Sequence, residues 1–176
     1  HAEASLDTNR QNNKVQTLKA LVLAELGQNN SQLLADLLAI DPLDHWARYV
    51  SGDVEGMLEK SRNDAQTILD LVYDFVDAGF KSQAIALLEL HHQHKVAEVA
   101  VPNPLQTSQL THYAYAWLTH DLAYLEKARR LTSDYLFPSR LHDQLMLEWA
   151  LEQAGSDSNA AYGLGNYYYD KKRHQE

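Results

Sequence analysis

Ser158-Asn-Ala-Ala-Tyr-Gly-Leu-Gly-Asn-Tyr-Tyr-Tyr-Asp-Lys-Lys-Arg-His-Gln-Glu176 closes the chain and decides how the rest of it is read. Leu164, Gly165 and Tyr168 fall on one helical face, and the basic run Lys171-Lys-Arg-His174 reads as the turn behind that helix. The stretch therefore reads as the first helix of a hairpin whose second helix would begin where the sequence stops. On that reading the chain is a fragment of a longer protein with its last repeat truncated. The apolar face of this helix is then expected to be covered by a neighbouring molecule or to fray.

Upstream, the composition favours helices throughout. Only seven of 176 residues are Gly and four are Pro, and the β-branched residues do not cluster into alternating runs. Twenty-four acidic residues against fifteen basic ones give a net charge of -9, which repels phosphate backbones and anionic lipid. Nucleic acid and membrane surfaces are accordingly not expected as partners. The chain has no Cys, so disulfides, thiolate nucleophiles and Cys-ligated zinc are ruled out. No run approaches the ~18 apolar residues of a membrane span, and His1-Ala-Glu-Ala-Ser-Leu-Asp7 has no basic region followed by an apolar core. A cytoplasmic setting is expected, and any targeting signal would lie outside this fragment.

Taken in order, residues 1–13 are polar and expected to fray. Val15, Leu18, Leu21, Val22 and Leu26 recur at three and four, predicting a helix from Lys14 that Gly27 stops. Asn30 or Ser31 caps a second helix carrying Leu33, Leu34, Leu37, Leu38 and Ile40, which Asp41-Pro42 ends. A shorter pair follows at Leu43–Val50 and Val54–Ser61, with Asp53 as cap. Asn63 or Asp64 caps the best-formed hairpin: Ile68, Leu71, Val72 and Phe75, then the Gly79 turn, then Ala84, Leu87 and Leu88 down to about His92. The small Ala84 stands where two helices must approach most closely. Residues 93–104, with Pro102 and Pro104, read as the longest linker. Thr107 or Ser108 starts a helix through Tyr113, Ala116, Trp117 and Leu118, and His120-Asp121 turns into Leu122, Leu125, Ala128 and Leu131. After an irregular stretch at 132–138, Pro138 is placed in the first turn of a long helix, Ser139–Ala154, expected to bury Leu141, Leu145, Leu147, Trp149, Ala150 and Leu151. Some eleven helices joined by short turns argue for a single stacked array over 1–176.

At Ala161-Tyr-Gly-Leu-Gly-Asn-Tyr-Tyr-Tyr-Asp170 and at Ile68-Leu-Asp-Leu-Val-Tyr-Asp-Phe-Val-Asp-Ala-Gly-Phe-Lys-Ser-Gln-Ala84 the chain resembles tetratricopeptide repeats. Leu164, Gly165 and Tyr168 match the repeat motif; the middle unit keeps Leu71, Gly79 and Ala84 but has Val72 where Gly or Ala is usual. Asp41-Pro-Leu-Asp-His-Trp-Ala-Arg-Tyr49, Asp134-Tyr-Leu-Phe-Pro-Ser-Arg-Leu141 and Gly163-Leu-Gly-Asn-Tyr-Tyr-Tyr-Asp-Lys-Lys-Arg173 together resemble the repeat region of large bacterial proteins in which such units follow a β-rich domain of unknown function related to sugar-mutarotase folds. The resemblance implies an all-α, right-handed superhelical array of tetratricopeptide-like helical hairpins. It implies a scaffold that binds protein or peptide and carries over no catalytic residue.

The residue types capable of chemistry fit structural roles better. His91-His-Gln-His94 offers two imidazoles on one helical face but no carboxylate at matching spacing, so helix-end or solvent-exposed histidines are expected and no metal or other cofactor. Glu148 with Glu152, and Glu55 with Glu59, stand at i and i+4 and read as solvated pairs. Ser139, His142 and Asp143 are triad residue types confined to one helix, which cannot converge as a triad must. Gly163-Leu-Gly165 lacks the third glycine and preceding strand of a phosphate cradle, so its glycines are read as sites of helix approach. In a stacked array the first helix of each hairpin lines a concave groove, which nominates Leu69, Tyr73 and Asp77, then Tyr113, Trp117 and His120, then Tyr162, Asn166, Tyr169 and Asp170. Aromatic rings beside polar groups suit peptide recognition and also stack on sugars. Two functions stay open: a non-enzymatic protein- or peptide-binding scaffold, with self-association through the truncated C-terminal repeat as one form, and an accessory substrate-binding region of a carbohydrate-active protein.

Overall fold

The computed structural model describes residues 12–94, 108–132 and 136–173, and every regular element among them is an α-helix. The expectations for residues 1–11 and for most of the 93–104 linker lie outside the described residues. In chain order the helices are α1 (Asn13–Glu25), α2 (Ser31–Ile40), α3 (His45–Ser51), α4 (Val54–Lys60), α5 (Ala65–Asp77), α6 (Lys81–Gln93), α7 (Gln109–Thr119), α8 (Leu122–Arg129), α9 (Leu141–Ala154) and α10 (Ser158–Asp170). Contacts divide the chain into two compact units, His1–Asn63 and Asp64–Glu176, within what the sequence reads as one repeat domain.

In the first unit short polar side chains set the helix starts. The carboxylates of Asp44 and Asp53 accept from the amides of Ala47 and Gly56, satisfying orphan donors at the first turns of α3 and α4. Asn30 acts differently from a simple cap, since its amide donates to the Ala20 carbonyl at 2.8 Å and ties the turn back to α1. The core is Ala20, Leu34, Leu37 and Ala47, flanked by Leu33, Leu38 and Val50. Leu26 and Ile40, placed on buried stripes by their spacing, are exposed instead. Each stands at or just past the end of a short helix, beyond the span that its neighbours cover.

The second unit holds three hairpins, α5–α6, α7–α8 and α9–α10. The first helices pack in succession, α5 on α7 and α7 on α9, while α6 packs on α7 and α8 on α10. Asp64 caps α5 through the Thr67 amide and hydroxyl, and Gly79 turns the chain at φ 87°, a left-handed conformation that costs glycine little. Ala84 is fully buried at the close approach of α5 and α6. The long helix α9 begins later than its sequence suggests, at Leu141, with Pro138 outside it. It buries Met146, Leu147 and Ala150, while Leu141 and Leu145, expected inside, are 61% and 44% exposed. This helix is apolar on more than one face, and its periodicity cannot tell which face the neighbouring helices cover.

Candidate binding groove

The α9–α10 hairpin is anchored at its turn. Asp157 is buried and caps α10, its Oδ1 accepting from the Asn159 and Ala160 amides at 3.1 and 3.0 Å. Tyr113 on α7 donates its hydroxyl to the same carboxylate, and Arg129 Nε lies 3.6 Å from Asp157 Oδ2. Asn159 donates to the carbonyls of Arg129 and Leu131. The start of α10 is thus held by polar contacts to α7, to the end of α8 and to Leu131 just beyond it.

The two glycines of α10 differ in role. A Cβ on Gly163 would lie 2.9 Å from Leu136 Cδ2 and 3.1 Å from Leu147 Cδ1, so this glycine permits close packing against α9 and the segment preceding it. A Cβ on Gly165 would meet nothing within 4 Å. The close-approach reading therefore holds for Gly163. Gly165 instead opens a groove of about 530 Å³ lined by Leu151, Ala161, Leu164, Gly165, Tyr168, Tyr169 and Arg173.

Two of the lining residues, Tyr168 and Arg173, are held by a polar chain that runs to α9. Tyr168 donates its hydroxyl to Glu148 at 2.7 Å, Gln144 donates to the same carboxylate oxygen at 2.7 Å, and Arg173 donates to Gln144 Oε1 at 3.1 Å while its guanidinium lies 5.0 Å from the Tyr168 ring centroid. These contacts hold the Tyr168 ring, and the next residue on α10, Tyr169, also lines the groove at 76% exposure. Ala161 and Gly165, four residues apart on α10, put small residues along one face, where another helix or an extended segment can come close.

Of the ten residues nominated from the sequence, only Tyr169 lines this groove. Leu69, Tyr73 and Tyr113 are buried; α9 packs over Tyr73 through Asp143 and Met146, and the α10 turn over Tyr113 through Asp157, on helix faces expected to stay open. Tyr73 donates to Asp143 at 2.7 Å and stacks on His142 at 4.6 Å. His142 Nε2 lies 3.0 Å from Asp77 Oδ1, and the His142 and Trp117 rings meet edge to face at 6.3 Å. His142 thus brings Tyr73, Asp77 and Trp117 together, and in doing so occupies the space between them. His120 is exposed and meets Trp149 edge to face. Tyr162 is exposed, Asn166 half-buried, and Asp170 pairs with Lys171 at 2.8 Å. Sequence reading missed Leu151, Ala161 and Arg173; the Ala161/Gly165 spacing was the signal available for the groove floor.

The histidine run is also placed differently from expectation. His94 is exposed at the end of α6, but His91 is buried and His92 half-buried between α6, α7 and α8. Burial pushes the His91 imidazole down to about 4 against the opposing pull of the Asp64 carboxylate. Among the described residues, no group of three or more His, Asp or Glu side chains is arranged to hold a metal ion, and no helix is long and apolar enough to cross a membrane. The fold and groove thus define an all-α chain with an open, largely apolar groove at one hairpin. In comparisons with known proteins, no family model, curated protein or solved structure matches it.

Proposed function

We propose that this chain is a non-enzymatic scaffold that binds a helical segment of a partner protein in the groove of the α9–α10 hairpin. The observation that carries the reading is the groove floor, Ala161 and Gly165, with open space above Gly165 and the fixed ring of Tyr168 beside it. Small residues at i and i+4 let a helix backbone approach, and an apolar anchor seated between Tyr168 and Tyr169 would bury surface worth about 25 cal/mol per Å². Recognition of an amphipathic helix in an apolar groove is a common mode of scaffold binding. The reading accords with a right-handed superhelical array of tetratricopeptide-like hairpins in a bacterial, cytoplasmic protein.

The test is a selection of displayed helical peptides against the whole chain, counter-screened with Gly165→Leu, whose side chain projects into the groove from a position where a Cβ meets nothing within 4 Å. Selected peptides should share an apolar i, i+3/i+4, i+7 pattern and bind Gly165→Leu at least about tenfold more weakly. Peptides that bind the filled variant equally well would overturn the proposal. Titration with oligosaccharides, followed by Trp fluorescence, provides the comparison arm: saturable binding there, without peptide binding, would favour a sugar-binding accessory role.

A further inference from the structure

The junction of α6, α7 and α8 holds two imidazoles face to face. The His92 and His112 rings stack at 4.2 Å between centroids and 17° between planes. Both ring nitrogens of His92 are engaged: Nε2 with Thr111 Oγ1 at 3.1 Å and Nδ1 with the Tyr124 hydroxyl at 2.9 Å. The Thr111 hydroxyl already donates to the Ser108 carbonyl at 2.9 Å, so toward His92 it accepts. That assigns the proton of His92 to Nε2 and leaves Nδ1 to accept from Tyr124. Each of these bonds links α6 to another helix, and together they fix one neutral tautomer.

His112 Nδ1 is buried and has no hydrogen-bond partner among the described residues. We infer that the His92–His112 stack is an acid-sensitive clasp, closed while both rings are neutral and opened by protonation, which frees α6 from α7 and α8. The reasons are local. Protonating His92 at Nδ1 removes the acceptor of the Tyr124 proton, so that hydroxyl has to turn its proton to another acceptor and itself accept from the imidazolium. Protonating one ring places a charge in a buried site, and protonating both sets two positive charges about 4.2 Å apart with little water to screen them.

The charged and titratable groups around the stack act in both directions. On α8, Lys127 Nζ lies 4.8 Å from the Tyr124 ring centroid and opposes a second positive charge. On α6, His91 adds to that opposition, His94 acts on His91, and the Glu89 carboxylate accepts from Tyr115 of α7 at 2.9 Å. Asp121, the cap of α8, accepts from the Ala123 and Tyr124 amides, and Asp64, the cap of α5, acts on His91. Burial, reinforced by neighbouring cations, pushes His92 down to about 2 and His112 to about 4. Once the rings are exposed they regain the ordinary value of about 6.5. Folded-state values below the open-state value mean that the open form takes up protons first. The clasp therefore weakens as pH falls from about 6.5 toward 4.

Amide hydrogen exchange of the whole chain at pH 7 and pH 5, corrected for intrinsic rates, tests this. Protection should fall first in the C-terminal half of α6, in α7 and in α8, ahead of α9 and α10. His112→Phe, which keeps a stacking ring and removes the orphaned nitrogen, should lower the acid midpoint of that opening by roughly half a pH unit or more. Uniform loss of protection over the second unit, or an unchanged midpoint in folded His112→Phe, would overturn the inference. NMR titration of the wild-type imidazoles decides the matter even if the variant does not fold. The clasp requires the Nε2–H tautomer at His92 and no titration of either ring above pH about 5, whereas titration near 6.5 rules it out.

Discussion

The phenolic oxygen of Tyr113 lies 3.0 Å from both carboxylate oxygens of Asp157, across 44 residues of sequence. The same carboxylate caps α10, so one buried charge fixes a helix start and ties it to the middle hairpin. Tyr113→Phe removes a hydrogen bond to a charged group and should lower the stability of the second unit by about 2 kcal/mol. Asp157→Ala should cost about 3 kcal/mol or more, because loss of the cap adds to a stranded buried hydroxyl. Urea unfolding of both variants checks the order. A smaller loss in Asp157→Ala than in Tyr113→Phe would contradict it.

A second tyrosine is used in the same way. Tyr73 donates to the buried Asp143, which also accepts from the Ser139 and Arg140 amides at 2.9 and 3.0 Å. Burial, then the Asp143 charge and hydrogen bond, raise the Tyr73 hydroxyl well above its usual value, and burial with Asp157 does the same at Tyr113. A folded-state value above the unfolded value of about 10 means that the unfolded chain loses its phenolic protons first. Stability is therefore full below pH about 10 and falls above it, by about 1.4 kcal/mol per pH unit for each such tyrosine. Unfolding free energies at pH 9 and pH 11 should show this fall, and Tyr113→Phe should make it shallower.

Gly163 and Gly165 stand two residues apart on α10 and should respond to alanine with opposite signs. At Gly163 the new methyl meets Leu136 and Leu147 in a closed space, and overpacking should cost about 1–3 kcal/mol. At Gly165 it meets nothing, and the gain in helix propensity should stabilise the unit by up to about 1 kcal/mol. Thermal melts of the two variants provide the measurement; a loss at Gly165 as well would show that the groove is closed over it, and a gain at Gly163 would show that its surroundings have room for a methyl.

These residues also show which parts of the structure the sequence carries. Several helix boundaries were legible because their determinants are local: Asp53 caps the helix expected of it, Asp64 and Ser108 do so as one of the two residues offered at each start, and Gly27 and Gly79 take up positive φ where turns were expected. The groove at the C-terminal hairpin was legible in part, through the face that carries Leu164, Gly165 and Tyr168. The burial of Tyr73 and Tyr113 was not, since it depends on carboxylates 70 and 44 residues away, and a tyrosine on an apolar stripe reads equally well as a groove residue. The histidine junction was missed for the same reason. Its meaning comes from His112, Tyr124 and Thr111, none of which belongs to the His91–His94 run.

The exposed face of α9 sets up a final contrast. Leu145 and Leu147 are two residues apart in a helix whose composition gives no preference between them, yet Leu145 is 44% exposed and Leu147 fully buried. Leu147 packs where Gly163 makes room for it, so Leu147→Ala leaves a cavity and should cost about 2–5 kcal/mol. Leu141→Ala and Leu145→Ala remove side chains that the second unit does not enclose, and each should change stability by no more than about 1 kcal/mol. Denaturant midpoints measured at several protein concentrations separate the cases. Losses at Leu141 and Leu145 that match Leu147 at every concentration would mean that both faces of α9 are buried within one chain. Losses that grow with concentration would mean that a second molecule covers the outer face.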